Sequence, residues 1–388
     1  MTLLSRHRRY LGILVAGLFG FLLLSNLIPD PLASMQWRVK VAPEWSLDRK
    51  LNLWFRNIGI FIQDNFGFRA TLPVFRRELR VELNSPDSKP FYAGRDGQLF
   101  WGREQTPAQS AGALVRAANV ERFVDMIGEM QRILAPQGTK IVVALPPNAQ
   151  SVETEALPLW NDALAYPTTE YDLALAGLKA RGVTTVDLRP VLKASPAPRY
   201  LLTDTHWNAR SSVLAFNAVM VAAGHPDWQV DPAQVVGPLE PAARGDLLRA
   251  MRMPPEVKEE DFRLNVPAKA SRPRPDPVLR SLNEHIAFKS VVRHYAPDGL
   301  RVLIMGDSFT ATSWPRLFAN APVKEVAWMH ASARVTGNCD FSFDDVKRYA
   351  PDLIIYARTE RFFPCYGDDW PKGLPRLWRN AVPRNVAP

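Results

Sequence analysis

The sequence predicts an α/β domain on a doubly wound parallel sheet of about five strands, with an N-terminal transmembrane helix and an irregular insertion. Three observations point there. From about residue 113, short apolar runs alternate with stretches of helical periodicity. A charge-free run of 19 residues stands near the N-terminus. Between residues 225 and 298 the alternation gives way to proline and charge.

The charge-free run, YLGILVAGLFGFLLLSNLI, occupies residues 10–28. At about 1.5 Å per helical residue it matches a bilayer core of roughly 30 Å. Arg6, Arg8 and Arg9 precede it, so the positive-inside rule makes residues 1–28 a cytoplasmic N-terminus plus anchor and exports everything after Pro29. A cleaved signal peptide is the competing reading, but the run is long for one and no A-x-A site follows. No cysteine lies near its end to carry a lipid. The expected location is the inner membrane, single-pass, with the bulk of the chain in the periplasm.

Residues 29–112 read as a juxtamembrane helical and hairpin region. Leu53, Trp54, Ile58, Phe61 and Ile62 recur at helical spacing within 45–83, until Asp64-Asn65-Phe66-Gly67-Phe68-Arg69 interrupts them. The basic stretch Phe75-Arg76-Arg77-Glu78-Leu79-Arg80 reads as a solvated helix face. Two short apolar stretches flank Gly94-Arg95-Asp96-Gly97, the composition of a tight hairpin turn.

The α/β domain is assigned to 113–388. Val120, Phe123, Val124, Ile127 and Leu134 make its first helical stripe. Strands are expected at 140–145, 183–188, 301–305, 325–329 and 352–357, with helices at 171–181, 208–223, 310–319 and 343–350. Five strands with crossover helices give a sheet of flavodoxin-like size. The insertion, 225–298, includes Arg272-Pro273-Arg274-Pro275-Asp276-Pro277, while Gly245-Asp246-Leu247-Leu248 near its start reads as locally structured.

At 47% apolar residues the chain can fill a core of this size, and its 34 prolines point to long ordered loops. The net charge of +9 suits an anionic polysaccharide or a membrane surface. Nucleic acid is set aside, because no zinc-finger spacing, RNP motif or continuous basic helix is present. Cys339 and Cys365 are the only cysteines. In an oxidising compartment they form either a bridge, worth about 3 kcal/mol on the chain-entropy model, or two separate buried thiols.

The chemistry-bearing residues fall at strand-to-helix connections. Arg301-Val302-Leu303-Ile304-Met305 is a buried-strand pattern that runs straight into Gly306-Asp307-Ser308-Phe309-Thr310. A serine there sits where open α/β sheets place their ligands, and its backbone N–H, at the positive end of a helix, can stabilise an oxyanion. The bland alternative is an Asp/Ser helix cap. A serine hydroxyl needs a base, and the base needs an orienting group. Leu202-Thr203-Asp204-Thr205-His206-Trp207-Asn208 offers both: Asp204 and His206 are two apart and share one side of an extended segment. The alternative is Asp204 as a cap and His206 as a packed surface residue.

His7 precedes the anchor, and His225, His285 and His294 lie in or beside the insertion; His330 is the reserve base. No HExxH, no CxxC pair, no GxSxG, no P-loop and no GxGxxG occurs. No catalytic metal and no cofactor are expected, and the ordinary α/β-hydrolase, P-loop NTPase and dinucleotide-binding readings fall away.

Taken together, an anchor, D-N-F-G-F-R, G-R-D-G, D-T-H-W-N, G-D-L-L and G-D-S-F resemble the alginate O-acetyltransferase family of AlgJ and AlgX, an SGNH hydrolase-like group, over about residues 50–362. The serine block follows the D-x-H block, as in that family and opposite to ordinary GDSL esterases. The resemblance implies Ser308 as nucleophile, His206 as general base and Asp204 as its orienting acid. It also implies acetyl transfer onto an exopolysaccharide, with a membrane-bound O-acyltransferase partner supplying the acyl group. About thirty residues follow the last expected strand, so the carbohydrate-binding module of AlgX is not expected. The oxyanion-hole glycine and asparagine of SGNH enzymes have no secure counterpart; Asn338 after Gly337, Arg358 and Arg361 remain open.

The expected activity is thus O-acyl transfer, through an acyl-serine, to an exported polysaccharide. Transfer must beat hydrolysis, which calls for a groove that positions the glycan, with Trp207 and Trp314 as its expected aromatic walls. An esterase with the same triad, or a non-catalytic assembly subunit, are the alternatives.

Overall fold

The computed structural model describes residues 10–17, 20, 91–158, 166–243, 245–251, 259–266, 288–332, 338–364 and 370–376. Two compact units form, one of residues 1–85 with 248–258 and one of 86–247 with 259–388. In the first, residues 10–17 are helical. No helix among the described residues is long and apolar enough to cross a membrane. The remainder of the 10–28 run, the 45–83 helices with D-N-F-G-F-R, the Arg-Pro stretch at 272–277, Gly337 and Cys365 lie outside the described residues.

The second unit opens with the expected hairpin. β1 (Phe91–Ala93) pairs antiparallel with β2 (Leu99–Trp101) across a turn at Arg95–Gly97. Then come β3 (Lys140–Ala144), β4 (Thr184–Val186), β5 (Val236–Ala242), β6 (Glu259–Leu264), β7 (Val291–His294), β8 (Leu300–Gly306), β9 (Val323–His330) and β10 (Leu353–Ala357). The main sheet has the order β4-β3-β10-β8-β9-β7; all its pairings are parallel except β7 on β9.

Among the described residues the sheet therefore has six strands rather than about five, and it is mixed. Its extra strand, β7, comes from inside the stretch read as an irregular insertion. Within β7 only Val292 is buried, so the apolar run is too short to announce a strand. The same stretch also forms an antiparallel pair, β5 with β6.

The helices include α1 (Ala117–Leu134), α2 (Glu170–Ala180), α3 (Ala209–Ala222), α4 (Asp246–Met251), α5 (Ser308–Ala311), α6 (Trp314–Leu317) and α7 (Phe343–Tyr349). Strand alternation sorts the core. Ile141, Val143, Leu303, Met305, Ile354 and Tyr356 join Phe123, Ile127 and Met130 of α1 and Phe343 of α7 in one cluster. Their strand neighbours Val142, Ile304 and Ile355 are just as buried, so both faces are covered and the strands read as continuous apolar runs. Where one helix was expected over 310–319, α5 and α6 stand separately, because Pro315 falls in the first turn of α6 and fits a helix start better than an interior.

Counted from β8, the five parallel strands lie in the spatial order 2-1-3-4-5, the flavodoxin-like arrangement, with β3 and β4 acting as its fourth and fifth strands. The chain thus runs through a cyclic shift of that topology. The loop after β4 comes early in sequence and still ends on the same edge as the turn after β8.

Candidate active site

β8 ends at Gly306, where a Cβ would lie 2.2 Å from the Thr310 hydroxyl. Only glycine lets α5 start this close to its strand. Asp307 is the cap: its Oδ1 accepts from Phe309 N–H at 3.1 Å, and its Oδ2 accepts from Thr359 N–H at 2.7 Å and from the Thr359 hydroxyl. With Asp307 supplying the cap, the Ser308 hydroxyl is left for another partner.

That partner comes from the loop before α3. A single bridge joins Tyr200 to Trp207, and Leu201 N–H donates to His206 O at 3.1 Å, closing the loop on itself. Asn208 caps α3 through its side chain, which accepts from Ser211 N–H at 2.9 Å. The hairpin braces the loop from outside, with Leu99 N–H donating to Leu202 O at 2.8 Å.

The two segments meet. His206 Nε2 lies 2.7 Å from Ser308 Oγ, and His206 Nδ1 lies 2.5 Å from Asp204 Oδ1. The His206 ring also packs on Phe309, centroids 4.8 Å apart, and the Arg361 guanidinium carbon lies 5.3 Å from the centroid of the same phenyl ring. Burial pushes the Asp204 carboxyl up, but hydrogen bonds and charge from His206, with the backbone N–H groups of Asp246 and His206, outweigh it and bring it down to about 2. Asp204 is thus an ionised carboxylate facing the imidazole, and the imidazole faces the alcohol. This arrangement can move a proton from Ser308 Oγ to His206 Nε2.

Two further carboxylates hold the loop. Asp246 donates its backbone N–H to Asp204 Oδ2 at 2.8 Å and accepts from Thr205 through both side-chain oxygens. Buried Glu259, the first residue of β6, accepts from Thr203 N–H at 2.7 Å and from the Thr203 hydroxyl. The G-D-L-L motif signalled the first of these. Glu259 carried no signal, since nothing in sequence ties it to a loop more than fifty positions upstream.

The expected aromatic walls are corrected by burial. Trp207 is 5% and Trp314 0% exposed, and the two indoles are stacked 6.0 Å apart. Trp207 Nε1 donates to Phe309 O at 3.1 Å and Trp314 Nε1 to Ser212 O at 3.2 Å. They are the packed floor that ties the serine turn to the histidine loop. Arg358 is buried too: its Nη1 donates to Asn338 O at 2.7 Å, which fastens the 338–340 segment to the end of β10. Asn338 contributes its carbonyl to that contact. Cys339 is disulfide-bonded. His330 is buried at the end of β9 against the Ser332 backbone and Phe288.

Among the described residues, Asp204, His206 and Asp246 bring one donor atom each within 4.8 Å of one another. Their atoms are already engaged with one another, with Thr205 and with backbone N–H groups, which makes the set a hydrogen-bonded network. Cavities of about 450 Å³ beside Ser151 and Arg189, and about 630 Å³ beside Arg122 and Trp370, are lined by neither Ser308 nor His206.

Comparison with solved structures gives likenesses of low identity. PatB1 of Bacillus cereus with a sulfonyl adduct aligns at 14% identity and a TM-score of 0.50, covering 70% of this chain and 94% of that one. A DHHW family protein from Eubacterium siraeum aligns at 13% identity and 0.50, covering 73% and 93%. The O-acetyltransferase domain of Pseudomonas putida AlgJ aligns at 18% identity and 0.46, covering 72% and 93%. The two at 0.50 speak to the fold alone. No curated protein matches the chain. In sequence, the family model described as SGNH hydrolase-like domain, acetyltransferase AlgX, matches residues 91–317. That match runs from the first residue of β1 to the last of α6, through Asp204, His206 and Ser308, and over more than half of its length the chain belongs to this SGNH hydrolase-like acetyltransferase family.

Proposed function

We propose that the protein is a serine-dependent O-acetyltransferase acting on an exported polysaccharide. The observation that carries this is the relay of Asp204, His206 and Ser308, with its 2.7 Å contact between imidazole and alcohol. In the proposed cycle His206 Nε2 takes the Ser308 proton as Oγ attacks the carbonyl carbon of a donor acetyl ester. The Ser308 N–H, at the start of α5, stabilises the oxyanion. The intermediate collapses to acetyl-Ser308, and the imidazolium returns its proton to the leaving alcohol. A sugar hydroxyl then gives its proton to His206 and attacks the acetyl-serine, and the second collapse releases the acetylated glycan and restores the Ser308 hydroxyl. Asp204, ionised across the physiological range, steadies each imidazolium.

Residues 1–28 anchor the chain in the inner membrane, 29–112 form the juxtamembrane region, and 113–388 the catalytic domain, in the periplasm. A membrane-bound O-acyltransferase supplies the acetyl group, and the net charge of +9 suits an acidic glycan. The test is transfer from an activated acetyl ester to an oligosaccharide by purified wild type and Ser308→Ala. Acetylated oligosaccharide from wild type alone supports the reading. Acetate release with no acetylated sugar marks an esterase, and equal polymer acetylation in cells carrying either form marks an assembly subunit.

A further inference from the structure

The relay sits on a loop with one strand-like bridge, and Ser308 reactivity depends on holding the His206 ring to a fraction of an ångström. Asp246 grips that loop at two consecutive residues. Its N–H holds Asp204 Oδ2 at 2.8 Å, Oδ1 accepts from Thr205 N–H at 2.9 Å, and Oδ2 accepts from the Thr205 hydroxyl at 2.7 Å. The same Oδ2 lies 3.8 Å from His206 Nδ1, so a second carboxylate faces the imidazole edge that Asp204 already meets. Gly245 permits the approach, since a Cβ there would lie 1.9 Å from Thr203 O. Asp246 is also the first residue of α4, yet both of its oxygens accept from Thr205 and not from the N–H groups of its own helix. A helix-start role leaves that placement without a cause.

We propose that Asp246 is a positioning residue of the relay: through Thr205 it fixes the Asp204–His206 geometry, and its charge stabilises the imidazolium that forms as Ser308 gives up its proton. This rests on the acyltransferase reading above, because that chemistry is what creates an imidazolium.

The test uses the full chain and compares Asp246→Asn, Thr205→Val, Thr205→Ser, the Asp246→Asn/Thr205→Val double variant and Ser308→Ala. Acetyl transfer by Asp246→Asn is expected to lose about tenfold in kcat with KM unchanged, the mark of an interaction made in the transition state. Thr205→Val should lose kcat as well, Thr205→Ser should keep it, and the double variant should lose less than the product of the singles. The low-field proton resonance of His206 Nδ1–H should weaken in Asp246→Asn at a temperature where the variant is still fully folded. Wild-type kcat and resonance in both Asp246→Asn and Thr205→Val, beside an inactive Ser308→Ala, overturn the positioning role and leave the acyltransferase reading intact. Undiminished transfer by Ser308→Ala overturns that reading, and the positioning role with it.

Discussion

At position 204, burial and hydrogen bonding pull in opposite directions. Desolvation favours the protonated acid, and His206 with two backbone N–H groups favours the carboxylate and wins. Its folded value lies below the unfolded one near 3.9, so Asp204 stabilises the fold above that pH and loses this contribution as pH falls toward about 2. Asp204→Asn keeps the size and loses the charge; kcat is expected to fall by about 10³-fold or more, with the thermal midpoint losing its extra acid sensitivity below about pH 4. Steady-state kinetics and a pH series of melts check both.

Glu360 shows the opposite balance. It is fully buried, and desolvation outweighs the hydrogen bonds from Asn148 N–H and the Ser151 hydroxyl, raising it to about 7. Its native form holds a proton that the unfolded chain has released, so its contribution to stability is complete below about 4.3 and fades as pH rises through about 7. Glu360→Gln should therefore gain on wild type in thermal midpoint between pH 5 and pH 8; a gap that stays constant over that range contradicts the assignment.

Among elements, the loop before α3 and the turn after β8 show what the sequence made legible. The serine turn could be read because a buried strand runs into Gly-Asp-Ser and a helix. The histidine loop could be read because Asp and His two apart share a side of an extended segment. Their supports were harder to find. Asp246, Glu259 and Thr359 reach the site across 40 or more positions, and no periodicity records that. β5, β6 and β7 were missed because their strands are half-exposed and carry charge, with two prolines in β5, so they lack the apolar run that marks β8. Trp207 and Trp314 were expected at a surface, and their indole N–H groups instead found backbone carbonyls inside. The Gly245 contact yields a prediction at this scale. Gly245→Ala must push the G-D-L-L turn off Thr203 O, costing about 1–3 kcal/mol and lowering kcat with it. Chemical denaturation and transfer kinetics together check this.

For the whole molecule, the cyclic shift of strand order resolves an oddity of the sequence. Asp204 and His206 come before Ser308 by about a hundred positions, the reverse of ordinary GDSL esterases. Because β3 and β4 stand at the far side of β10, the loop after β4 still reaches the carboxyl edge where β8 ends. The fold class was legible from the alternation of runs, while the shift was not, since parallel strands of similar composition do not declare their neighbours. The proposed anchor belongs to this scale as well. A chain beginning at residue 29 should leave the membrane fraction and keep transfer to a soluble oligosaccharide, measured by fractionation and assay.

Ser308 is expected to carry the acetyl group between donor and glycan, and mass spectrometry of the protein quenched during turnover with an activated acetyl ester locates that group. Wild type should carry one added acetyl group on the peptide containing Ser308, and Ser308→Ala and His206→Ala none. An acetyl group carried on another residue, with Ser308 unmodified during active turnover, would contradict it.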